Sequence, residues 1–201
     1  LLLRGGNLSG WCVGSLPMET FGLTPPSVKA HWGSAWKKAA LQSYDHIGRI
    51  SFSGEHLAYK DNYMDLDPTY KDQYGDPLIR LTLDWRDNER RMVEFMTAKA
   101  IEIARAMNAR EIVPFPGLKH YDGRRYQSTH ISGGTMMGAS SNRSVVNPFL
   151  QHWEIPNLFV MGASIYPQNS AAHPTITILA LTLRSADTIV DRYLKHPGAL
   201  A

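Results

Sequence analysis

The stretch from Asn157 to Lys195, NLFVMGASIYPQNSAAHPTITILALTLRSADTIVDRYLK, constrains the fold more than any other part of the chain. An apolar run, Leu158 to Met161, enters a turn of small residues, Gly162, Ala163 and Ser164. The run is apolar on both faces, the pattern of a buried parallel strand. After a polar loop, Ile176, Leu179, Ala180, Leu183, Ala186, Val190 and Tyr193 fall on one face of a helix predicted over 174–195. Ile178 and Leu181 give that helix a second apolar side, so it is expected to be buried on more than one face. Pro174 suits the first helical position, because its missing N–H would be unbonded there anyway. His173 then falls at the N-cap.

This layout has two readings. The first N–H groups of the helix and its positive end favour an anion or an anionic ring edge. Ligands of open α/β sheets bind beyond the carboxyl ends of strands, where Gly162-Ala163-Ser164 falls. His173 is equally consistent with a capping or packing histidine.

Composition narrows the class. The chain has 201 residues, enough for one sizeable domain or two small ones. Hydrophobic residues make up 43% and charged residues 19%, the balance of a globular chain. With 21 basic and 18 acidic residues the formal charge is only +3, which is no nucleic-acid footprint. Cys12 is the single cysteine, so there is no internal disulfide and no cysteine cluster for zinc. No stretch approaches the roughly 20 apolar residues of a membrane-spanning helix. The opening LLLRGGN carries no initiator Met and reads as the middle of a longer coding sequence.

Residues 1–48, rich in Gly, Pro and aromatics, read as ordered loop with short elements. Strands begin in HIGRISFSGEHLAY. Turns are expected at Asp67-Pro68 and at Gly75-Asp76-Pro77, followed by a strand over 78–84 with Ile79, Leu81 and Leu83 on one face. The period then changes to that of a helix over 87–108. Asp87 is its expected N-cap, and Met92, Phe95, Met96, Lys99, Ile103 and Met107 form a stripe read as core packing. EIVPF and SVVN read as short strands, and Gly133, Gly134 and Gly138 as a glycine-rich bend.

His130 opens that bend in THISGGTMMG. A histidine before a tight glycine turn can overhang a pocket that the backbone approaches closely, and histidine suits proton transfer near neutral pH. The alternative is a loop histidine. His31, His46, His56, His120, His152 and His196 have no metal-ligand spacing and read as structural or exposed; no metal site is expected. There is no nucleophile elbow, no P-loop and no G-x-G-x-x-G.

Three pieces resemble the glucose–methanol–choline family of flavin oxidoreductases: STHISGGTMMG, NLFVMGASIYPQNSAAHPTITILALTLRSADTIV and NYMDLDPTYKDQYGDPLIRLTLDW. The second is the specific one, with the family's last strand, small-residue turn, S-I-x-P step and second active-site histidine at the head of the final helix. Together they resemble the branch of bacterial gluconate, sugar and polyol dehydrogenases. The resemblance implies an α+β to α/β fold: an antiparallel substrate-domain sheet with flanking helices, plus the last strand and helix of a Rossmann-like FAD domain. Residues 1–127 would form the substrate-binding portion and 128–201 the active-site loop and the return to the FAD domain.

The resemblance further implies FAD as cofactor and hydride transfer from a substrate CH–OH to the flavin. By motif, His130 is the first histidine of the pair and the expected general base. His173 is the second, orienting the alcohol. Gly162, Ala163 and Ser164 match the turn near the FAD pyrophosphate and ribityl chain; His173, Pro174 and Thr175 match the helix start near the flavin pyrimidine edge. The chain departs from the common His-x-x-Gly-Thr by one extra glycine, and several relatives carry Asn where His173 stands. The family's ADP-binding fingerprint is missing, so a C-terminal fragment is expected. The implied partners are an alcohol or sugar-acid substrate and a cytochrome or small subunit, on the periplasmic side of a membrane through partner subunits. A non-catalytic accessory or binding protein is the alternative. A hydrolase using His130 with Ser164 or Ser170 is a weaker third reading, and Tyr63, Tyr74 and Trp85 are either sugar-site aromatics or core.

Overall fold

A computed structural model describes residues 4–11, 27–114, 116–124 and 130–200, the Trp11 side chain excepted. Cys12, Phe115 of EIVPF, Ser128 and Thr129 of the His130 motif and the expected boundary at 127/128 lie outside the described residues. The fold is α+β. Its described elements are β1 (Gly6–Trp11), α1 (Gly33–Ser43), β2 (Arg49–Gly54), β3 (Tyr63–Lys71), β4 (Pro77–Thr82), α2 (Asp87–Ala106) and α3 (Thr175–Thr188). The strands form two antiparallel pairs, β1 with β2 and β3 with β4. Two compact units result, residues 1–54 with 87–117 and residues 55–86 with 118–201.

In the first unit, β1 and β2 pair from Gly6↔Gly54 to Trp11↔Arg49. The glycines at the end of this ribbon admit the thioethers of α2. A Cβ on Gly54 would lie 2.4 Å from Met92 Sδ, and one on Gly6 would lie 3.1 Å from Met96 Cε. Met92 and Met96 are buried accordingly, whereas Phe95, Ile103 and Met107 of the expected stripe are exposed. The buried face of α2 is therefore narrower than its apolar stripe. Asp87 begins the helix and accepts from Arg90 Nη1 at 3.1 Å, an i,i+3 pair on the first turn. Helix α1 and strand β1 are short elements within the stretch read as ordered loop with short elements; neither has a cap or turn pattern strong enough to place it among the neighbouring glycines.

In the second unit, β3 and β4 pair as Met64↔Leu81, Asp65↔Arg80 and Leu66↔Ile79. The turn between them is tied by Asp72, whose Oδ1 accepts from Tyr74 N (2.8 Å) and Asp76 N (3.0 Å). Gly75 there takes φ +92°. Asp67-Pro68, expected to be a turn, is instead a register irregularity inside β3. Asp67 Oδ1 accepts from Thr69 N and Tyr70 N, bonds that replace ladder bonds and accommodate a proline without an N–H.

Val146, Leu150 and Ile165 are fully buried, with Met137, Val160, Tyr166 and Leu181 packed around them. Beside this core lies a satisfied polar knot. Gln151 Nε2 donates to Pro156 O (2.7 Å) and Gly198 O (2.8 Å), and its Oε1 accepts from Leu200 N (2.7 Å). Asn147 Nδ2 donates to Leu200 O at 2.9 Å. The expected parallel strand at 157–164 does not form as a regular strand. Its pairing is a bridge between Phe159 and Gln151, with bonds from His152 N to Leu158 O and from Val160 N to Leu150 O. SVVN likewise contributes a single-residue bridge position, Val146, paired with Met137 and His152.

Candidate active site

Two glycine-bearing bends assemble the site. Gly133 (φ +93°) and Gly134 (φ +112°) adopt left-handed backbone that side chains disfavour, so the His130 segment turns sharply. It then runs along the small-residue turn: Gly133 N donates to Ala163 O (3.1 Å), Thr135 N to Ser164 O (2.9 Å) and Met137 N to Ile165 O (2.9 Å). Each such bond contributes about 1 kcal/mol net, and the series fixes register. Residues 163–165 form a single 3₁₀ turn after Gly162 (φ +108°), with Ile165 anchored in the core. The Tyr166 hydroxyl then donates to Pro174 O at 3.3 Å and ties the turn to the head of α3.

Those ties bring together residues 43 apart in sequence: His173 Nδ1 lies 3.1 Å from His130 Nε2. The rings meet edge to face, with centroids 4.8 Å apart and planes at 78°. A hydrogen bond between two imidazole nitrogens needs one donor and one acceptor, so the tautomer of each ring sets that of the other. The His173 ring bonds to this partner imidazole. Regular helix begins at Thr175, one residue later than expected, with Pro174 in cap position. His130 is half-buried, while His173 and Thr175 are exposed.

Ala163 and Ser164 commit their carbonyls to the His130 segment, and a Cβ on Gly162 would meet no atom within 4 Å. Ser170 Oγ accepts from Ala172 N within its own loop. Tyr74 is 81% exposed at the β3–β4 turn and Tyr63 is also exposed, so neither is core; Trp85 packs edge to face on Tyr121. Sequence reasoning missed Tyr166, whose tie depends on one hydroxyl and one backbone carbonyl and has no motif. It also missed Asp84, which accepts from Trp85 N (2.8 Å) and Tyr121 N (2.9 Å) and lies 2.7 Å from His120 Nδ1. That hydrogen bond to His120, then those from the Tyr121 and Trp85 amides, hold the Asp84 carboxyl down to about 2.

The paired imidazoles at the head of α3, with the small-residue turn bonded to the His130 segment, form the candidate site. The chain belongs to the GMC oxidoreductase family, whose C-terminal family model matches residues 58–182 and so spans both histidines. It is 46% identical over 182 residues to the gluconate 2-dehydrogenase flavoprotein of Pantoea cypripedii, covering 89% of this chain and 29% of that protein. It is 31% identical over 170 residues to the 2-methyl-1,2-propanediol dehydrogenase of Mycolicibacterium austroafricanum, covering 82% and 29%. With the fructose dehydrogenase large subunit of Gluconobacter japonicus it shares 31% over 137 residues, covering 68% and 24%. The chain thus spans less than a third of the length of these relatives. No helix among the described residues is long and apolar enough to cross a membrane.

Proposed function

We propose that this chain is the C-terminal part of an FAD-dependent dehydrogenase that oxidises a CH–OH group of a sugar, sugar acid or polyol, as a gluconate 2-dehydrogenase does. The observation that carries this reading is the 3.1 Å approach of His130 and His173 inside the segment matched by the family. Bound FAD supplies the acceptor for the hydride that leaves the carbinol carbon. His130 takes the hydroxyl proton at Nε2, the nitrogen facing His173. His173 presents Nδ1 to the same point, orients the alcohol oxygen and shares the proton. Each of these nitrogens makes one in-plane hydrogen bond, so the alcohol oxygen would enter between the rings in place of their direct bond, within about 2.6–3.2 Å of each.

The residues present suit the cofactor. Gly162 opens onto free space, and Thr135, whose N–H donates to Ser164 O, keeps a buried Oγ1 without a hydrogen-bond partner among the described residues. Buried polar atoms are normally bonded, so unpaired ones beside a site await a partner. Gly162, Ala163 and Ser164 would hold the pyrophosphate and ribityl side. His173, Pro174 and Thr175 would hold the pyrimidine edge, where the first N–H groups of α3 lack intrahelical partners. Helix α3 would then be the last helix of a Rossmann-like FAD domain, reached through the 158–164 segment, which forms no regular strand in this chain. Electrons pass on to a cytochrome or small subunit, and the assembly sits on the periplasmic side of a membrane through such subunits. One relative is itself named a large subunit.

The test is to express the chain in frame with its preceding coding sequence, load the product with FAD and mix it anaerobically with gluconate, a hexose or a linear polyol. Bleaching of the flavin by one of these is the expected result. His130→Ala is expected to slow it by about 10²- to 10⁴-fold with flavin content retained, and His173→Ala to slow it comparably while also holding FAD less tightly. A protein that binds FAD and is reduced by no alcohol would instead favour an accessory role.

A further inference from the structure

Strands β3 and β4 form an amphipathic ribbon. On one face, Arg80 and Asp65 make a two-bond ion pair, Arg80 Nε donating to Asp65 Oδ1 at 2.8 Å. On the other, Met64 faces Leu81 and Leu66 faces Ile79, and all four are exposed. Four neighbouring exposed apolar side chains on one strand face mark a binding surface more often than ordinary solvent-facing chain. One contact shows where this face leads. The Met64 methyl abuts Gly134, where a Cβ would lie 3.3 Å from Met64 Cε. Gly134 belongs to the bend that opens at His130. The ribbon's apolar face therefore meets the candidate catalytic loop, and Met64 is the side chain at the junction. It is still 56% exposed, so most of its surface is free to touch something else.

The geometry points to Met64 as a specificity-determining residue: its thioether walls the substrate site next to His130 and packs on the C–H face of the substrate beside the reacting carbinol. This inference rests on the dehydrogenase reading above. Sugars and polyols present C–H faces between their hydroxyls, and a flexible, polarisable thioether adapts to such surfaces. The glycine opposite it fits the same picture, since a side chain at 134 would push the methyl into that space. Contacts of this kind discriminate by size more than by charge: one methylene in an apolar pocket changes selectivity by about 10- to 200-fold.

The test uses the complete flavoprotein proposed above, with Met64→Ala and Met64→Phe. The probes are linear polyols of increasing chain length, compared by kcat/KM for flavin reduction, with flavin content measured alongside. Met64→Ala is expected to shift the ratio of long to short polyol about tenfold towards the longer substrates, and Met64→Phe to shift it the opposite way. Flavin content is expected to match the wild type in both. A residue acting only through folding would scale all substrates together and leave the ratio unchanged. An unchanged ratio in both variants, with the wild type active, overturns the Met64 assignment alone. A wild type that no polyol or sugar reduces overturns it together with the dehydrogenase reading.

Discussion

At the scale of the residue, the two imidazoles are one device. His130 Nε2 and His173 Nδ1 lie 3.1 Å apart, so neither ring's proton can be placed without fixing the other's. Groups that act as a unit are not additive under mutation. In the complete flavoprotein, the His130→Ala/His173→Ala double variant is therefore expected to reduce flavin about as slowly as the worse single variant, some 10²- to 10⁴-fold below wild type. Losses that multiply would mean that the two rings serve separate steps. Asp84 offers a pH test. Its folded value, about 2, lies below the ordinary 3.8, mainly through the hydrogen bond to His120. A carboxyl depressed on folding adds stability that is fully present above the unfolded value. That stability is lost as the pH falls through the folded value. Thermal melts should therefore show this contribution disappearing between about pH 4 and pH 2, and Asp84→Asn should flatten that part of the profile.

At the scale of the element, what the sequence revealed and what it concealed have physical causes. Helix α2 was legible because twenty residues keep one period, and β4 because its residues alternate after the turn at Gly75-Asp76-Pro77. The bulge at Asp67-Pro68 was misread as a turn because both use the same residues; the distinction lies in the register with β4. The apolar run at 158–161 carries strand propensity, but a ladder needs a partner of matching length. Both histidines were legible as motifs. Their meeting was not, because the ties between the two bends are largely backbone bonds, which side-chain identity does not encode. The polar knot at Asn147 and Gln151 was equally hidden and is testable. Gln151→Leu would leave Leu200 N without its partner in a buried setting and Pro156 O and Gly198 O without theirs in a partly buried one. At about 1–3 kcal/mol for the one buried group, and less for the two carbonyls that water can reach, a loss of about 2–4 kcal/mol is expected in urea unfolding. A loss under 1 kcal/mol would show that the knot is replaceable.

At the scale of the whole molecule, the surface of α3 bears on the proposal that this chain is part of a longer flavoprotein. Ile176, Leu179, Leu183 and Val190 lie along one stripe of α3 and its continuation, yet all are exposed, Ile176 by 77%. The sequence pattern predicted a helix buried on more than one face, and in this chain only Ser185 of α3 is buried. Apolar stripes of this kind are stable in water only when covered. Relatives such as the Pantoea cypripedii flavoprotein extend well beyond the 29% of their length that this chain matches, and the proposed FAD domain is the natural cover. Two measurements on the isolated chain follow from this. It should bind a hydrophobic dye strongly and hold FAD weakly or not at all, because the phosphate cradle of an ADP-binding fingerprint is not among its residues. Joined to the preceding polypeptide, the protein should lose most of that dye binding and retain FAD through gel filtration. Tight FAD binding by the 201 residues alone would overturn this expectation and show a phosphate cradle built without a G-x-G-x-x-G motif.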